Sequence, residues 1–433
     1  MKTKAIFMRA LALILVLATS CLMLSSCLTS DVLLGERAGL TEEELQALID
    51  ERIAAMGGLS VGDTNVININ DPTNISIAAG GKSLLSAVKV VCAFEVTSYV
   101  GWKPTTKEAT SNGSGVIYQL DKESGDAYII TNYHVVHYED ADNEGGISDD
   151  ISLYLYGMDA EGYEIPATYV GGSQNYDIAV LRVEGSAVLR GSNAVAATFA
   201  DSDEVSVLDT AIAVGNAEAL GISATVGYVN VDSEYITMQN DDGTLSELRV
   251  MRIDTAVNSG NSGGGLFNDK GEVIGIVNAK LLSTGSESSV ENISYAIPSN
   301  VAKYVADNII YYCDSESAIE GSDCVYRCIL GYTVGAERYY TEYDTETCKV
   351  HKRETVSIVE IKRSGLAYGN LQVGDVIESV LIDGVTYEVT RLFHAIDCML
   401  NARVGHAVTF NIIRGGEKIS VDITITENTL TKY

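Results

Sequence analysis

Short apolar runs alternate with turn residues along most of the chain from Ser83 onward. Runs of this kind, bounded by turn residues, predict β-strands. A helical pattern returns only at Ser299–Tyr311, after Pro298, so the fold class is mainly β. The strand runs form two consecutive groups: first Val88–Val96, Ser114–Gln119, Tyr128–Thr131, Ile151–Tyr156 and Ile178–Val183, then Ala211–Val214, Gly227–Val231, Arg249–Ile253, Val273–Asn278 and Ser294–Ile297.

Three residues suited to nucleophilic catalysis occur in the order His134, Asp177, Ser262. A serine hydroxyl needs an adjacent base, and an imidazole needs a partner on its other nitrogen to fix its tautomer. Unrelated folds that build this triad use different chain orders, and this order is that of the chymotrypsin-type fold. We therefore predict a serine endopeptidase with His134 and Asp177 on a first antiparallel β-barrel and Ser262 on a second.

Glycines surround Ser262 in the segment Val257–Leu266. They allow a tight turn that leaves the backbone N–H groups of Gly260 and Ser262 free to bind a developing oxyanion. One such donor is typically worth ~10²–10³ in turnover. The sequence therefore predicts an oxyanion hole formed by Gly260 and Ser262.

Six segments resemble the HtrA/Deg family of trypsin-like serine proteases and follow one another in the order expected for that family. They are Gly113–Ile117, Thr131–Val136, Asp177–Leu181, Gly260–Gly264, Gly271–Ile276 and Tyr295–Asn300. One departure is Gly265, where the family usually has proline, and it removes no catalytic group. The resemblance implies two six-stranded antiparallel β-barrels of the chymotrypsin type at residues 82–312, followed by a PDZ domain. It implies no metal and no organic cofactor.

The C-terminal part of the chain carries the PDZ resemblance, which places this domain at residues 323–428. Ser364–Ala367 and Leu371–Ile377 resemble its core, and a helix at Arg391–Asn401 with strands at Ala407–Arg414 and Lys418–Thr426 complete the pattern. Such a domain is expected to bind C-terminal peptides through backbone N–H groups. The residues that resemble the carboxylate-binding loop are Ile329, Leu330, Gly331 and Tyr332.

Substrate contacts are predicted at two places. In trypsin-like enzymes the residue six positions before the serine lies at the floor of the main specificity pocket. Ala256 occupies that position and carries no charge, which favours small or medium aliphatic residues before the scissile bond. The backbone of Ile293, Ser294 and Tyr295 is expected to pair with an extended substrate, although Tyr295 fits barrel packing equally well. By resemblance, the substrates are unfolded or misfolded polypeptides.

The N-terminal residues predict export. A basic start precedes the apolar run Ala10–Leu24, and Leu24–Cys27 resembles the cleavage site of a bacterial lipoprotein. Removal of residues 1–26 would leave Cys27 as the lipidated first residue. An ordinary secretory signal and an uncleaved anchor are the alternatives. We expect an extracytoplasmic lipoprotein anchored to the membrane of the cell envelope.

Residues 27–81 are predicted to form a spacer with one short helix. The capping box Thr41–Glu44 opens this helix, and Gly57–Gly81 is expected to be loop with at most one edge strand. The helix is short enough to need a packing partner. Docking on the protease domain and self-association are both open, and the resemblance adds a homotrimer because the family often forms trimers through N-terminal segments.

Net charge excludes some classes of binding partner, and the cysteines indicate possible disulfides. The net charge is −30, which argues against nucleic acid and against adhesion to anionic lipid. An extracytoplasmic location permits disulfides. The expected participants are Cys313, Cys324, Cys328 and Cys348, with their pairing open, and Cys92 is expected to be a buried free thiol.

Two other functions fit parts of the sequence. Gly260–Gly264 also matches the nucleophile elbow of α/β-hydrolases, which would indicate an esterase. That fold places its histidine after the serine, and the available His351, His394 and His406 all lie in the C-terminal module. The second alternative is a proteolytically silent envelope chaperone or scaffold that binds peptide C-termini. The complete triad argues against it.

Overall fold

The computed structural model describes residues 72–100, 102–239, 244–279 and 293–433. Ile75–Tyr433 form one compact unit. The predicted signal, the Cys27 lipidation site and the spacer helix lie outside the described residues. In the described part of the chain, no helix has both the length and the apolar character needed to cross a membrane.

The first six strands close into an antiparallel barrel. They are β1 (Ala87–Val100), β2 (Lys103–Asp121), β3 (Asp126–Thr131), β4 (Asp150–Leu155), β5 (Ile165–Ser173) and β6 (Ile178–Val183). Their order around the barrel is β1-β2-β3-β6-β5-β4. In β4, Ile151, Leu153 and Leu155 point inward because alternate side chains of a strand face the same side. We call this unit the first barrel.

The next strands form what we call the second sheet. They are β7 (Thr198–Phe199), β8 (Thr210–Gly215), β9 (Ser223–Gln239), β10 (Leu245–Ile253), β11 (Gly265–Phe267), β12 (Glu272–Asn278) and β13 (Ser294–Pro298). Their order is β11-β8-β9-β10-β13-β12-β7, and β11 pairs with β12 as well. Six of these strands therefore form a continuous circuit of pairings, to which β7 adds in parallel at β12.

The described helices are α1 (Pro72–Leu85), α2 (Tyr133–Val136), α3 (Ala187–Gly191), α4 (Ser299–Cys313) and α5 (His394–Asp397). The prediction of a helix at Ser299–Tyr311 is confirmed by α4. Its buried residues recur at helical spacing and join a core shared with both sheets.

The expectation of loop at Gly57–Gly81 is wrong for residues 72–81, which belong to α1. The β-branched residues Thr73, Ile75 and Ile77 made helix an unfavourable choice from local propensity. Ala79 is buried in the shared core, and it packs against the Gly271 turn between β11 and β12. Tertiary packing outweighs weak propensity at this position.

The remaining strands form a C-terminal module with its own apolar core. They are β14 (Tyr326–Cys328), β15 (Tyr332–Tyr343), β16 (Val350–Ile361), β17 (Val376–Ile382), β18 (Val385–Glu388), β19 (Ala407–Arg414), β20 (Glu417–Thr424) and β21 (Leu430–Lys432). One sheet has the order β15-β16-β17-β19-β20 with β18 beside β17, and β14 pairs with β21.

The predicted helix at Arg391–Asn401 is shorter in the structure. It consists of α5 followed by a 3₁₀ turn at Cys398–Asn401. Arg391–Phe393 form a turn before α5, in which the His394 N–H donates to the Arg391 carbonyl and the Leu392 N–H donates to the Glu354 carboxylate.

The expected disulfides are wrong for the described cysteines, because Cys313, Cys324, Cys328 and Cys348 are all free thiols. Three of them lie in different surroundings. Cys328 is buried in the C-terminal core, Cys348 is exposed in the turn after β15, and the Cys313 thiol lies beside the Ser322 hydroxyl. The prediction of a buried free thiol at Cys92 is confirmed, and burial together with the Asp150 charge raises its pKa to about 12.

Candidate active site

Two neighbouring strand ends bring His134 and Asp177 together. His134 lies in α2, just after β3, and Asp177 directly precedes β6, which pairs with β3. The imidazole Nδ1 is 2.8 Å from the Asp177 Oδ2, and the His134 backbone N–H donates to Oδ1 at 3.0 Å. One carboxylate therefore holds both the ring and the backbone of the histidine.

Two asparagine side chains hold the backbone and the carboxylate of Asp177 in place. Its φ of 48° lies in the left-handed region, which aspartate tolerates better than most residues. The Asn132 amide donates to the Asp177 backbone carbonyl at 2.7 Å, and the Asn278 amide donates to Oδ2 at 2.7 Å. Because Oδ2 accepts from Asn278, it acts as an acceptor toward His134 as well. The proton between the pair thus belongs to Nδ1, and Nε2 is left with the lone pair of a base.

Sequence reasoning did not single out Asn132 and Asn278, although both are fully buried and bonded to Asp177. The position of Asn132, two residues before His134, is a signal that could have been used. Asn278 gives no such signal, because it reaches the carboxylate from β12, far along the chain. Its role is visible only in the folded structure, where β12 of the second sheet lies against Asp177 of the first barrel.

Ser262 lies on the loop before β11, against the first barrel. Its backbone carbonyl accepts from the Ser114 N–H of β2 at 2.8 Å. A Cβ added at Gly113 would lie 2.6 Å from the Val135 side chain and 3.2 Å from the Ser262 carbonyl oxygen. The chain next to His134 and the chain at Ser262 therefore pack on the same glycine, which brings the three predicted catalytic residues into one site.

The Ser262 hydroxyl has a resting partner. Its Oγ accepts a hydrogen bond from the Ala279 backbone N–H at 3.2 Å. Among the hydrogen bonds of the described residues, none joins this hydroxyl to the His134 imidazole. Unliganded enzymes often have long or misaligned catalytic hydrogen bonds that tighten only when substrate is bound.

Gly260 adopts a conformation that only glycine accepts here. Its φ is 92°, and a Cβ at this position would lie 2.2 Å from the Asn216 carbonyl oxygen. Within the described residues, the backbone N–H groups of Gly260 and Ser262 have no hydrogen-bond partner. Two unpaired donors next to a serine hydroxyl are suited to bind an anionic oxygen.

The predicted substrate contacts lie in the loop after β10 and at the start of β13. Ala256 is exposed, and its carbonyl accepts from the Thr225 hydroxyl at 2.8 Å. The ladder between β12 and β13 ends at the pair Asn278–Tyr295, whereas β10 still pairs with Ser294. In the described structure, Ile293 and Ser294 thus have no strand partner on the β12 side. Tyr295 is paired on both sides, and its half-buried ring packs on the shared core.

The loop predicted to bind a carboxylate bends at Gly331. The Ile329 N–H donates to the Thr429 carbonyl, and Tyr332 packs edge-on against Phe410 in the module's core. Leu330 is buried, and Gly331 has a φ of 82° with its α-carbon close to Gly365. In the part of the chain that the structure describes, the backbone N–H groups of Leu330 and Gly331, which lie between β14 and β15, donate to no backbone carbonyl. No group of three or more His, Cys, Asp or Glu residues suited to a metal ion is found among the described residues.

Comparison with known proteins identifies relatives for most of the chain. The family model for the trypsin-like peptidase domain matches residues 113–276. The serine protease Do-like HtrA of Lactococcus lactis subsp. lactis is 32% identical over 328 residues, which cover 74% of this chain and 72% of that protein. The periplasmic serine endoprotease DegP of Escherichia coli is 29% identical over 323 residues, covering 73% of this chain and 57% of DegP.

A solved structure is also similar. The HtrA-type protease AlgW with a decapeptide is 24% identical, with a TM-score of 0.48, and the match covers 81% of this chain and 98% of that one. Together with the site described above, the relatives at about 30% identity decide the assignment. The chain belongs to the HtrA family of trypsin-like serine proteases, and it is a serine endopeptidase.

Proposed function

We propose that this protein hydrolyses unfolded or misfolded polypeptides through an acyl-enzyme, with His134, Asp177 and Ser262 as its catalytic triad. The observation that carries the proposal is that the Asp177 carboxylate binds both the imidazole Nδ1 of His134, at 2.8 Å, and its backbone N–H, at 3.0 Å. Ser262 is buried in the same site. A histidine locked in this tautomer presents Nε2 as a base to the substrate side.

The first half of the reaction forms the acyl-enzyme. The Ser262 hydroxyl leaves the Ala279 N–H by rotation about its Cα–Cβ bond and donates to His134 Nε2. As Oγ attacks the peptide carbonyl carbon, its proton passes to Nε2, and Asp177 stabilises the imidazolium. The carbonyl oxygen becomes an oxyanion bound by the N–H groups of Gly260 and Ser262. The imidazolium then protonates the leaving amine as the peptide C–N bond breaks.

The second half hydrolyses the acyl-enzyme. Water enters where the amine departed, and His134 accepts one of its protons as the oxygen attacks the ester carbonyl. The same two N–H groups bind the second oxyanion. His134 returns a proton to Oγ as the ester bond breaks, which regenerates Ser262 and releases the carboxylic acid product.

Substrate is held as an additional strand in this proposal. The backbone of Ile293 and Ser294, open on the β12 side, pairs with the residues before the scissile bond, and Tyr295 borders that edge. Ala256 lies at the floor of the specificity pocket. Its small, uncharged side chain favours small or medium aliphatic residues over Lys or Arg.

The proposed domain arrangement follows from the same resemblance. The second sheet is the second barrel of a chymotrypsin-like protease domain at residues 82–312, and its circuit of strand pairings supports this. Residues 323–428 are a PDZ domain that binds peptide C-termini at Ile329, Leu330, Gly331 and Tyr332 and thereby regulates hydrolysis. The unpaired N–H groups of Leu330 and Gly331 support a carboxylate at that turn.

The location is proposed from the N-terminal sequence. Residues 1–26 are a signal peptide, Cys27 carries the lipid anchor, and residues 27–81 are the spacer between membrane and protease domain. The protein is thus placed outside the cytoplasm, in the cell envelope, and it assembles as a homotrimer. The name of the Escherichia coli relative, a periplasmic endoprotease, supports the location.

Casein cleavage by the wild type and by Ser262→Ala, together with fluorophosphonate labelling of both, tests the proposed function. We expect cleavage and labelling in the wild type and neither in the variant, because the label reacts only with an activated serine hydroxyl. Binding of a C-terminal peptide by a wild type that neither cleaves nor labels would instead identify a scaffold. Labelling and ester turnover without peptide cleavage would identify an esterase.

A further inference from the structure

The side chain of Ser114 is fully buried between the first barrel and the loop that carries Gly260. Its hydroxyl donates to the Gly260 carbonyl at 2.7 Å and accepts from the Asn216 N–H at 2.7 Å. Its backbone N–H donates to the Ser262 carbonyl at 2.8 Å. One residue of β2 thus contacts the backbone on both sides of Asn261.

The orientation of the Gly260 N–H depends on the two peptide groups that flank its α-carbon. The Ser259 carbonyl accepts from the Glu218 N–H at 2.7 Å. In a trans peptide the carbonyl and the following N–H point in opposite directions. Holding the Ser259 carbonyl toward Glu218 therefore turns the Gly260 N–H away from Glu218.

The second peptide group, between Gly260 and Asn261, is held by the Ser114 hydroxyl. Glycine has the freest backbone of all residues, so a single anchor would leave Gly260 able to rotate its peptide groups. With Glu218 on one side and Ser114 on the other, both its φ and its ψ are constrained.

Serine has the right size and polarity for this position. Its hydroxyl can donate one hydrogen bond and accept others, and here it donates to the Gly260 carbonyl and accepts from the Asn216 N–H. A Cβ at Gly215 would lie 2.8 Å from the Ser114 Oγ, and one at Gly264 would lie 3.2 Å from the Ser114 Cβ, so a larger side chain has little room. Alanine would leave the Gly260 carbonyl and the Asn216 N–H buried without a partner.

We propose that Ser114 is a positioning residue that holds the Gly260 N–H in the orientation that binds the oxyanion. The inference deepens the proposed function and rests on it. The Ser114 hydroxyl touches no reacting atom, and its bond to the Gly260 carbonyl is the contact through which it acts. Its loss is thus expected to weaken binding of the oxyanion while leaving binding of the ground-state substrate unchanged.

The test compares Ser114→Ala with Ser148→Ala in the full chain. Ser148 is a matched control because its buried hydroxyl also donates to backbone carbonyls and accepts a backbone N–H, at the other end of the first barrel. The measurements are kcat and KM on a short peptide, the affinity for a peptide aldehyde that forms a tetrahedral adduct with Ser262, and the affinity for the matching peptide alcohol.

For Ser114→Ala we expect kcat and aldehyde affinity to fall together by about tenfold or more, since a missing oxyanion donor costs ~10²–10³. KM and alcohol affinity should stay within about twofold of the wild type, as for an interaction made only with the tetrahedral species. Ser148→Ala should lower thermal stability without this split. A Ser114→Ala that loses no more kcat than Ser148→Ala, or loses alcohol affinity equally, overturns the inference.

Ser114→Cys provides a second variant should Ser114→Ala fold poorly. A thiol is a weaker donor and acceptor than a hydroxyl, and its sulfur is larger than the oxygen that it replaces, so the kcat of this variant should fall below that of the wild type, and a wild-type kcat contradicts the inference. A wild type that neither turns over the peptide nor binds the aldehyde overturns the proposed function and this inference together. Normal wild-type turnover with an unaltered Ser114→Ala overturns the inference alone.

Discussion

Two interfaces of the described chain are built from different interactions. The contact between the first barrel and the loop of Ser262 consists of short, uncharged hydrogen bonds and close backbone approaches. A Cβ at Gly263 would lie 2.2 Å from the Ser114 carbonyl oxygen, and one at Gly113 would lie 3.2 Å from the Ser262 carbonyl oxygen. Main chain is packed directly on main chain at this interface.

The contact between the second sheet and the C-terminal module is charged. Arg249 of β10 reaches Asp397 of α5 at 2.5 Å and Asp203 at 2.7 Å, with its guanidinium over the Phe393 ring. Around this buried cluster lie more exposed ion pairs, which are Lys349–Asp209, Lys352–Asp232 and Arg391–Asp232.

The difference indicates what each interface does. Backbone packing has no long side chains that could adapt, so the first interface holds atoms to a fraction of an ångström, as oxyanion binding requires. Long charged side chains keep their attraction over several ångströms, and exposed pairs respond to salt. The second interface therefore has a strength that solution conditions can change.

The largest effect is expected from breaking the centre of the charged interface with Arg249→Met. The Arg249 side chain is 4% exposed, and its loss leaves the buried Asp397 carboxylate unpaired. Removing one partner of a buried ion pair typically costs about 3–5 kcal/mol. The free energy of unfolding, measured by urea titration with far-UV circular dichroism, should show this loss.

The double variant Arg249→Met/Asp397→Leu is the control for that prediction. Replacing a buried pair by apolar residues is often neutral or stabilising, and Asp203 keeps the Asn300 amide as a partner at 2.9 Å. The double variant should regain most of the lost stability. A double variant as unstable as the single one would show that Arg249 acts through packing on Phe393 rather than through charge.

The uncharged interface is broken most directly by Gly260→Ala. The new Cβ would lie 2.2 Å from the Asn216 carbonyl oxygen, so the backbone must move and carry the Gly260 N–H away from the oxyanion. We expect kcat to fall by ~10²–10³, the cost of one oxyanion donor. Kinetics on a short peptide measure this.

Gly405→Ala is matched to Gly260→Ala in backbone strain, since its φ is 90° and a Cβ there has nothing within 4 Å. It should cost stability at a positive φ without reducing kcat. Equal loss of kcat in both variants would refute the assignment of Gly260 to the oxyanion hole.

The sequence predicted those features of the structure that are set by residues close together along the chain. The run Ile178–Val183 is β6, a continuous apolar run that is buried along almost its whole length, and Ala407–Arg414 is β19, whose buried residues alternate with period two. The His134–Asp177 contact was predictable from the order of the triad, which is a property of the fold class.

The remaining features depend on distant partners. The bond from Asn278 to Asp177 and the pair of Arg249 with Asp397 join residues that only the packed fold brings together. Helix α1 forms because Ala79 is buried by another part of the chain, and the expected disulfides are wrong because the four cysteines are free thiols in the packed fold. None of these outcomes has a local signal.

The smallest effect is expected at the edge of the charged interface, with Lys352→Ala. The Lys352 side chain is 47% exposed, and its ammonium is 2.7 Å from Asp232 Oδ1. Solvent screening reduces such a pair to about 0.2–1 kcal/mol, and added salt should reduce it further. Urea unfolding at low and high salt measures the difference from the wild type. A loss as large as that of Arg249→Met would contradict the division of this interface into a buried centre and a solvated edge.

The same variant tests how the contribution of the Lys352–Asp232 pair to stability depends on pH. Burial alone would raise the pKa of Asp232, but the hydrogen bond from Lys352 and the charges of Arg391 and Lys352 hold it below the ordinary value of 3.8. A depressed carboxyl pKa stabilises the folded state above the unfolded pKa, and that stability is lost as the pH falls through the folded value. The difference between wild type and Lys352→Ala should therefore be constant from pH 7 to about pH 5 and shrink below about pH 4. A difference that grows on acidification would mean that Lys352 stabilises the module through contacts other than Asp232.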